Sequence, residues 1–315
     1  MVRSLSTAHR AVLIAFGGAL SLFGIGLTMF LLSPTGVLNA FARWGDYALT
    51  SDIAYKPGAR GGLDIYAPTS ASAPTRRPVV VFIYGGNWET GDKATYRFVG
   101  GALAGAGFVT VIPDYRVYPE VRFPSFVEDA ALAVRWARDH AVEYGGDPER
   151  IVLMGHSAGA QIAAMLAFDR HYLGAVGLDP RRDVKGLIGL AGPYDFLPLH
   201  SPVLKEIFGP ESGLAATQPI NFVDGGAPPA LLATGDGDTS VKPGNSTRLA
   251  ARIREHGGTA EVKIYPGISH RTLIGAFSLP LRPLAPVLRD AAQFIEETTG
   301  DPAAARAAVA AKRPS

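Results

Sequence analysis

The chain has 315 residues, 47% of them hydrophobic and 18% charged, with a formal net charge of +2 at pH 7. That length fits one globular domain of about 250 to 270 residues with further sequence at the N-terminus. Near-neutral charge without a Lys/Arg stripe argues against a nucleic-acid partner, and the lack of any cysteine excludes disulfides, thiolate metal sites and a cysteine nucleophile.

In chain order, residues 1–10 carry Arg3, His9 and Arg10, and Ala11 to Leu32 is an uncharged run rich in Leu, Ile, Phe and Gly. A run of about 20 such residues is long enough to span a bilayer as a helix and longer than the apolar core of most cleaved signals. We therefore expect a cytoplasmic 1–10, a transmembrane anchor (or uncleaved signal) over 11–32, and the remainder membrane-anchored on the extracytoplasmic side. A signal cleaved near Ala40-Phe41-Ala42 is the alternative. Residues 33–50 read as a connector, with a short amphipathic piece around Val37 to Trp44 that lies on a membrane surface or packs under the domain.

Over residues 51–300, short apolar runs alternate with helical patterns, as in a mostly parallel sheet with crossover helices on both faces. Ile53-Ala-Tyr55 and Leu63 to Tyr66 predict two edge strands joined by the glycine-rich turn Lys56 to Gly62. Val79 to Ile83 and Phe108 to Ile112 are continuously apolar, the pattern of strands covered on both faces. Helices are predicted over Tyr96 to Gly105 and over Phe126 to Tyr144, where Gly145-Gly146 stops the second. Further strands fall on Ile151 to Met154, Gly186 to Leu190, Ala230 to Thr234 and Ala260 to Tyr265. Helices follow over Ala160 to Phe168, Asn245 to His256 and a last segment with Val287, Ala291, Phe294 and Ile295 inward. Pro198 to Pro219 reads as a small cap or lid, and residues 301–315 as an alanine-rich flexible tail.

Between strand and helix lies Gly155-His156-Ser157-Ala158-Gly159. Such a pattern counts only in that setting, where a serine at a sharp turn projects its hydroxyl beyond the sheet and the flanking glycines avoid collision. A serine needs a base to take its proton and an acid to orient the base. Asp238 follows the strand ending at Thr234, and His270 ends the loop after the strand ending at Tyr265, giving the order Ser157, acid, His270. Asp236 is assigned to bracing the turn, and Asp195 and His256 are the weaker rivals for acid and base. Strand Val79 to Ile83 runs into Tyr84-Gly85-Gly86-Asn87-Trp88, where glycines free backbone N–H groups for an oxyanion; Gly86, Asn87 and Ala158 are the candidate donors. Arg116 reads as a structural ion pair with Asp114 or Glu120. No His/Glu/Asp cluster has metal-ligand spacing, and no cofactor motif is present.

Six motifs together carry a family resemblance: Tyr84 to Trp88, Asp114-Tyr-Arg116, Gly155 to Gly159, Gly192-Pro-Tyr-Asp195, Gly235 to Val241 and Tyr265 to His270. The chain resembles the hormone-sensitive-lipase-like and BD-FAE feruloyl-esterase-like carboxylesterases, and is also similar to kynurenine formamidase. The resemblance covers roughly Ile53 to Thr298 and implies an α/β-hydrolase fold and a serine ester hydrolase working on a small-molecule ester without cofactor or metal. One departure is Tyr84, which stands where those families place a histidine. Tyr84, Trp88, His156 and Phe208 are the expected substrate-pocket residues. Formamide hydrolysis on the same groups and a catalytically silent binding protein of the same fold are the alternatives.

Overall fold

The computed structural model describes residues 34–69 and 76–300. The expected anchor over 11–32, its flanking residues and the 301–315 tail lie outside the described residues. Among those that are described, no helix is long and apolar enough to cross a membrane.

Helix α1 (Pro34–Ala42) is followed by strands β1 (Tyr47–Ala54), β2 (Gly62–Pro68) and β3 (Arg77–Ile83), then α2 (Arg97–Gly105), β4 (Val109–Pro113), α3 (Ser125–His140) and β5 (Gly146–His156). Next come α4 (Ala158–Phe168), the short α5 (Arg170–Ala175) and α6 (Pro180–Asp183), β6 (Val184–Leu190), α7 (Pro202–Phe208), β7 (Ala230–Gly235), α8 (Gly244–Glu255), β8 (Ala260–Tyr265), α9 (His270–Gly275) and α10 (Val287–Thr299). The eight strands form one sheet in the order β1-β2-β4-β3-β5-β6-β7-β8. β1 and β2 pair antiparallel, as do β2 and β4, and every later pairing is parallel.

Continuous apolar runs stay buried because helices cover both faces. α3, α4 and α8 pack over one face, α2 and α10 over the other. Ile151 to Met154 at the centre of β5 are therefore fully buried, as are Val79 to Ile83. α3 stops where the sequence predicts: after a 3-10 turn, Gly145 adopts φ 77° and closes the end with its N–H.

Two boundaries differ from expectation. The predicted 33–50 connector is part of the domain, since β1 already begins at Tyr47. α1 packs on α2 through Leu38, and Asn39 caps that neighbour: its amide donates to the Ala94 and Thr95 carbonyls at 2.9 and 3.1 Å and its Oδ1 accepts from Phe98 N–H at 3.0 Å. Of the two placements open for the amphipathic piece, the one under the domain holds. β2 is also not an edge strand, because β4 pairs with its second side.

Candidate active site

Ser157 sits where β5 ends and α4 begins, with φ 54° and ψ −125°, a strained backbone for any residue with a side chain. Neighbouring glycines make the turn sterically possible. A Cβ on Gly155 would lie 2.2 Å from the Gly159 carbonyl oxygen, and one on Gly159 would lie 2.1 Å from that of Ile83. Strand, turn and helix thus touch backbone to backbone. Ser157 N–H donates to Leu190 C=O at 2.9 Å, tying the turn to the adjacent strand.

Asp238 and His270 come together by a second backbone contact. Gly235, at the end of β7, lies so close to the loop before α9 that a Cβ there would meet the Ile268 carbonyl oxygen at 1.9 Å. Gly237 N–H donates to that carbonyl at 3.1 Å, and Asp236 Oδ1 accepts from Gly267 N–H at 2.7 Å, so Asp236 braces the turn as expected. Asp238, its side chain fully buried, accepts from the Ser240 and Val241 N–H groups through Oδ1, both at 2.9 Å. Its Oδ2 is left for His270 Nδ1 at 2.7 Å. A carboxylate fixed in this way holds the ring with Nδ1 protonated and Nε2 free to accept a proton.

His270 stands where that loop ends. It opens α9, whose start is fixed by a reciprocal cap between Ser269 and Thr272. The Ser269-x-x-Thr272 spacing was a readable signal for that helix, and the sequence reading passed over it. The rival acid and base stand elsewhere: Asp195 pairs with Arg248 at 2.5 Å, and His256 caps the C-terminus of α8.

The loop after β3 has three successive positive φ values, 147° at Gly86, 56° at Asn87 and 61° at Trp88. The Gly86 carbonyl accepts from the N–H groups of Glu89 and Thr90 at 3.0 and 2.9 Å, leaving the N–H groups of Gly86 and Asn87 outside the turn's own pairing. Asn87 lines the same cavity as Ser157. Ala158 is the first residue of α4, so its N–H belongs to a helix N-terminus, where negative charge is favoured. The cavity has a volume of about 460 Å³; besides Asn87 and Ser157 its walls include Trp88, Phe196, Leu199, Leu204 and Val241.

Of the four expected pocket residues, Trp88 alone lines this cavity. Tyr84 is fully buried beneath it, stacked between Tyr96 and Tyr115 with ring centroids 5.4 and 4.7 Å away. Its hydroxyl donates to Asp114 Oδ1 at 2.7 Å and accepts from Arg60 Nη2 at 2.9 Å. Burial, followed by Tyr115 and Asp114, pushes its pKa up, so the hydroxyl stays protonated and anchors the loop after β3. Phe208 packs edge-on behind Trp88 at 4.8 Å rather than lining the cavity. His156 is buried; its Nε2 donates to the His270 carbonyl at 3.2 Å and its ring lies 4.8 Å from that of His270. Burial first and His270 second push its pKa down to about 3, so it lies beside His270 as a neutral ring.

Arg116 forms the structural ion pair expected of it, with a different partner. It grips Asp129 of α3 at 2.9 and 2.8 Å, and Lys56 joins at 2.9 Å. Burial alone would raise the Asp129 pKa, but hydrogen bonds from Arg116 and Lys56 outweigh it and hold the carboxyl below its usual range.

Sequence reasoning missed Gln161. Its Oε1 accepts from Trp88 Nε1 at 3.1 Å, and its Nε2 donates to the Thr217 carbonyl at 3.0 Å, joining cavity wall to lid. It is the one polar side chain in a wholly buried helix, and that was a usable signal.

The profile of the BD-FAE family matches residues 63–253, more than half of the chain. A probable isoprenylcysteine alpha-carbonyl methylesterase, ICMEL1 of Arabidopsis thaliana, is 29% identical over 270 residues, covering 79% of this chain and 56% of that protein. Esterase LipQ of Mycobacterium tuberculosis is 27% identical over 280 residues, 79% of this chain and 66% of that protein. The chain thus spans less than two thirds of the length of either relative. Among solved structures, Thermogutta terrifontis esterase 2 superposes with a TM-score of 0.63 at 27% identity, covering 80% of this chain and 93% of the other. A carbohydrate esterase from gut microbiota shares the fold, with a TM-score of 0.67 at 22% identity over 82% of this chain and 99% of the other. The profile match, with esterases on either side of it in sequence and in fold, shows that the chain belongs to the BD-FAE family of α/β-hydrolase carboxylesterases.

Proposed function

We propose that this chain is a serine carboxylic-ester hydrolase acting through an acyl-enzyme, with Ser157 as nucleophile, His270 as base and Asp238 as the acid that orients it. His270 Nε2 takes the Ser157 proton as Oγ attacks the ester carbonyl; the tetrahedral oxyanion is held by the N–H groups of Gly86, Asn87 and Ala158. His270 returns the proton to the leaving alcohol, then deprotonates the water that splits the acyl-enzyme and regenerates the serine. The observation that carries this reading is the fixed Asp238–His270 pair at 2.7 Å, reached by two loops latched onto each other at the same sheet end as the strained Ser157 turn.

Relatives named as esterases and methylesterases support an ester as substrate. So does Thermogutta terrifontis esterase 2, for which forms phosphorylated by paraoxon and phosphoramylated by tabun are known; such reagents trap an activated nucleophile. The uncharged Ala11 to Leu32 run after Arg3 and Arg10 supports an anchored, extracytoplasmic arrangement.

Replacing Ser157 by Ala should reduce hydrolysis of p-nitrophenyl butyrate by about 10⁶-fold and abolish labelling by a fluorophosphonate probe. Turnover retained in this variant sinks the mechanism. N-formylkynurenine assayed beside the ester separates this reading from formamide hydrolysis.

A further inference from the structure

The cavity that holds Ser157 is not alone on this side of the lid. A second one of about 1010 Å³ lies against it, floored by Leu197, Pro198, Leu199, Pro210, Leu214 and Ala215. Pro198 and Leu199 line both cavities, so this two-residue wall is all that is shared between them. Leu199 is only 6% exposed and gives apolar surface to each side.

The charges around the second cavity do not select an ion. Arg122 donates to the Glu206 carbonyl at 3.0 Å and lies 4.0 Å from its carboxylate, so that pair answers itself. Lys205 and Glu211, one of each sign, complete the rim. An apolar floor inside a self-neutralised rim suits an uncharged aliphatic chain, whose burial is favourable in proportion to the area removed from water.

Resting on the ester-hydrolase reading, we propose that the second cavity is a subsite for the aliphatic chain of the ester and that Leu199 is the gate setting how long a chain is accepted. Short chains fit within the cavity beside Ser157. Longer ones must pass the Leu199 side chain to reach the larger space, and in the conformation seen here that side chain stands in the partition.

The test is a specificity ratio measured on the full chain, kcat/KM for the p-nitrophenyl decanoate over that for the butyrate. A parallel series of decyl and butyl acetates tells whether the chain belongs to the acyl or the alcohol side. Leu199→Ala should raise the ratio in one series by about fourfold for each methylene newly buried. Adding Ala215→Trp, whose indole takes up part of the second cavity, should lower the ratio again. Should Leu199→Ala lose its fold, seen in its thermal midpoint, Leu199→Val makes the same comparison with a smaller opening. An unchanged ratio in both series overturns the proposal, and so does a raised ratio that Ala215→Trp leaves in place, because general loosening of the lid would then be its cause. Absence of turnover of both short esters by the wild-type chain sinks the ester-hydrolase reading and this one with it, whereas turnover with an unmoved ratio sinks this one alone.

Discussion

The serine turn and the lid meet over one cavity, yet they are held by different kinds of contact. At the turn, backbone lies on backbone: Gly159 on the Ile83 carbonyl, Gly155 on that of Gly159, and Gly85 on that of His156. Across the lid, most of the holding is done by side chains, beside one backbone bond from Phe123 N–H to the Ile207 carbonyl at 2.9 Å. Gln218 Oε1 accepts from Phe196 N–H at 2.7 Å, Gln161 reaches the Thr217 carbonyl, and Tyr118 donates to Glu206 at 2.5 Å. Backbone contacts leave no room for a substituent, because neither partner can rotate out of the way. Side-chain contacts can be rebuilt with other residues, so the turn tolerates little change while the lid can vary around the same cavity.

Four substitutions test that contrast, from the deepest disruption to the mildest. Gly159→Ala should be the most damaging to the fold, because its Cβ would lie 2.1 and 2.3 Å from the Ile83 and Tyr84 carbonyl oxygens. A loss of ~3 kcal/mol or more in a denaturant titration, with activity lost in parallel, is the expected result. A variant of wild-type stability would show that the turn relaxes as readily as the lid. Asp238→Asn should spare the fold and strike the chemistry. The amide oxygen can keep the Ser240 and Val241 N–H groups, but its NH₂ then faces His270 Nδ1 and imposes the wrong tautomer, lowering kcat by about 10⁴-fold. A loss below tenfold would remove Asp238 from the mechanism.

Gln161→Met tests the join between the two regions. It leaves the buried Trp88 N–H and Thr217 carbonyl without partners, at a cost of about 1–3 kcal/mol each. KM should change more than kcat, since the altered wall is part of the pocket and not of the reacting groups. The reverse split in steady-state kinetics would place Gln161 closer to the chemistry than the geometry does.

The smallest effect concerns pH. His156 is neutral in the fold until about pH 3, whereas an unfolded histidine takes up its proton near 6.5. Between those values the unfolded chain binds more protons, so stability falls as pH falls through that window and is fully present above it. His156→Gln keeps a donor for the His270 carbonyl and cannot be protonated there, so its thermal midpoint should drop less than the wild-type one between pH 7 and pH 4. Equal drops would mean that His156 contributes nothing to the acid sensitivity.

Much of the site was legible before the structure because its demands are local. The Gly155-His-Ser157-Ala-Gly159 spacing answers a steric need within five residues, and strand-then-acid and strand-then-histidine are each short patterns. Contacts across the chain were not legible. Nothing local to Tyr84 announces that Arg60 and Asp114 hold its hydroxyl, which is why it read as pocket wall instead of loop anchor. Phe208 read as a pocket residue, but its place behind Trp88, with Phe196 and Leu199 in front, depends on how residues 198–219 fold back on the sheet. Arg116 was rightly assigned to a structural pair, and its partner was missed because Asp129 comes from a helix face 13 residues on.

What the sequence by itself determined is therefore the alternating sheet, the serine turn, the placing of Asp238 and His270 after successive strands and the glycines that let backbones touch, since hydrophobic period and glycine spacing are written within each segment. What only the tertiary structure decided is the hold of Arg60 and Asp114 on Tyr84, the partners that Gln161 joins, the members of the cavity wall and the Leu199 partition. Those rest on distances between segments that only the closed fold brings together.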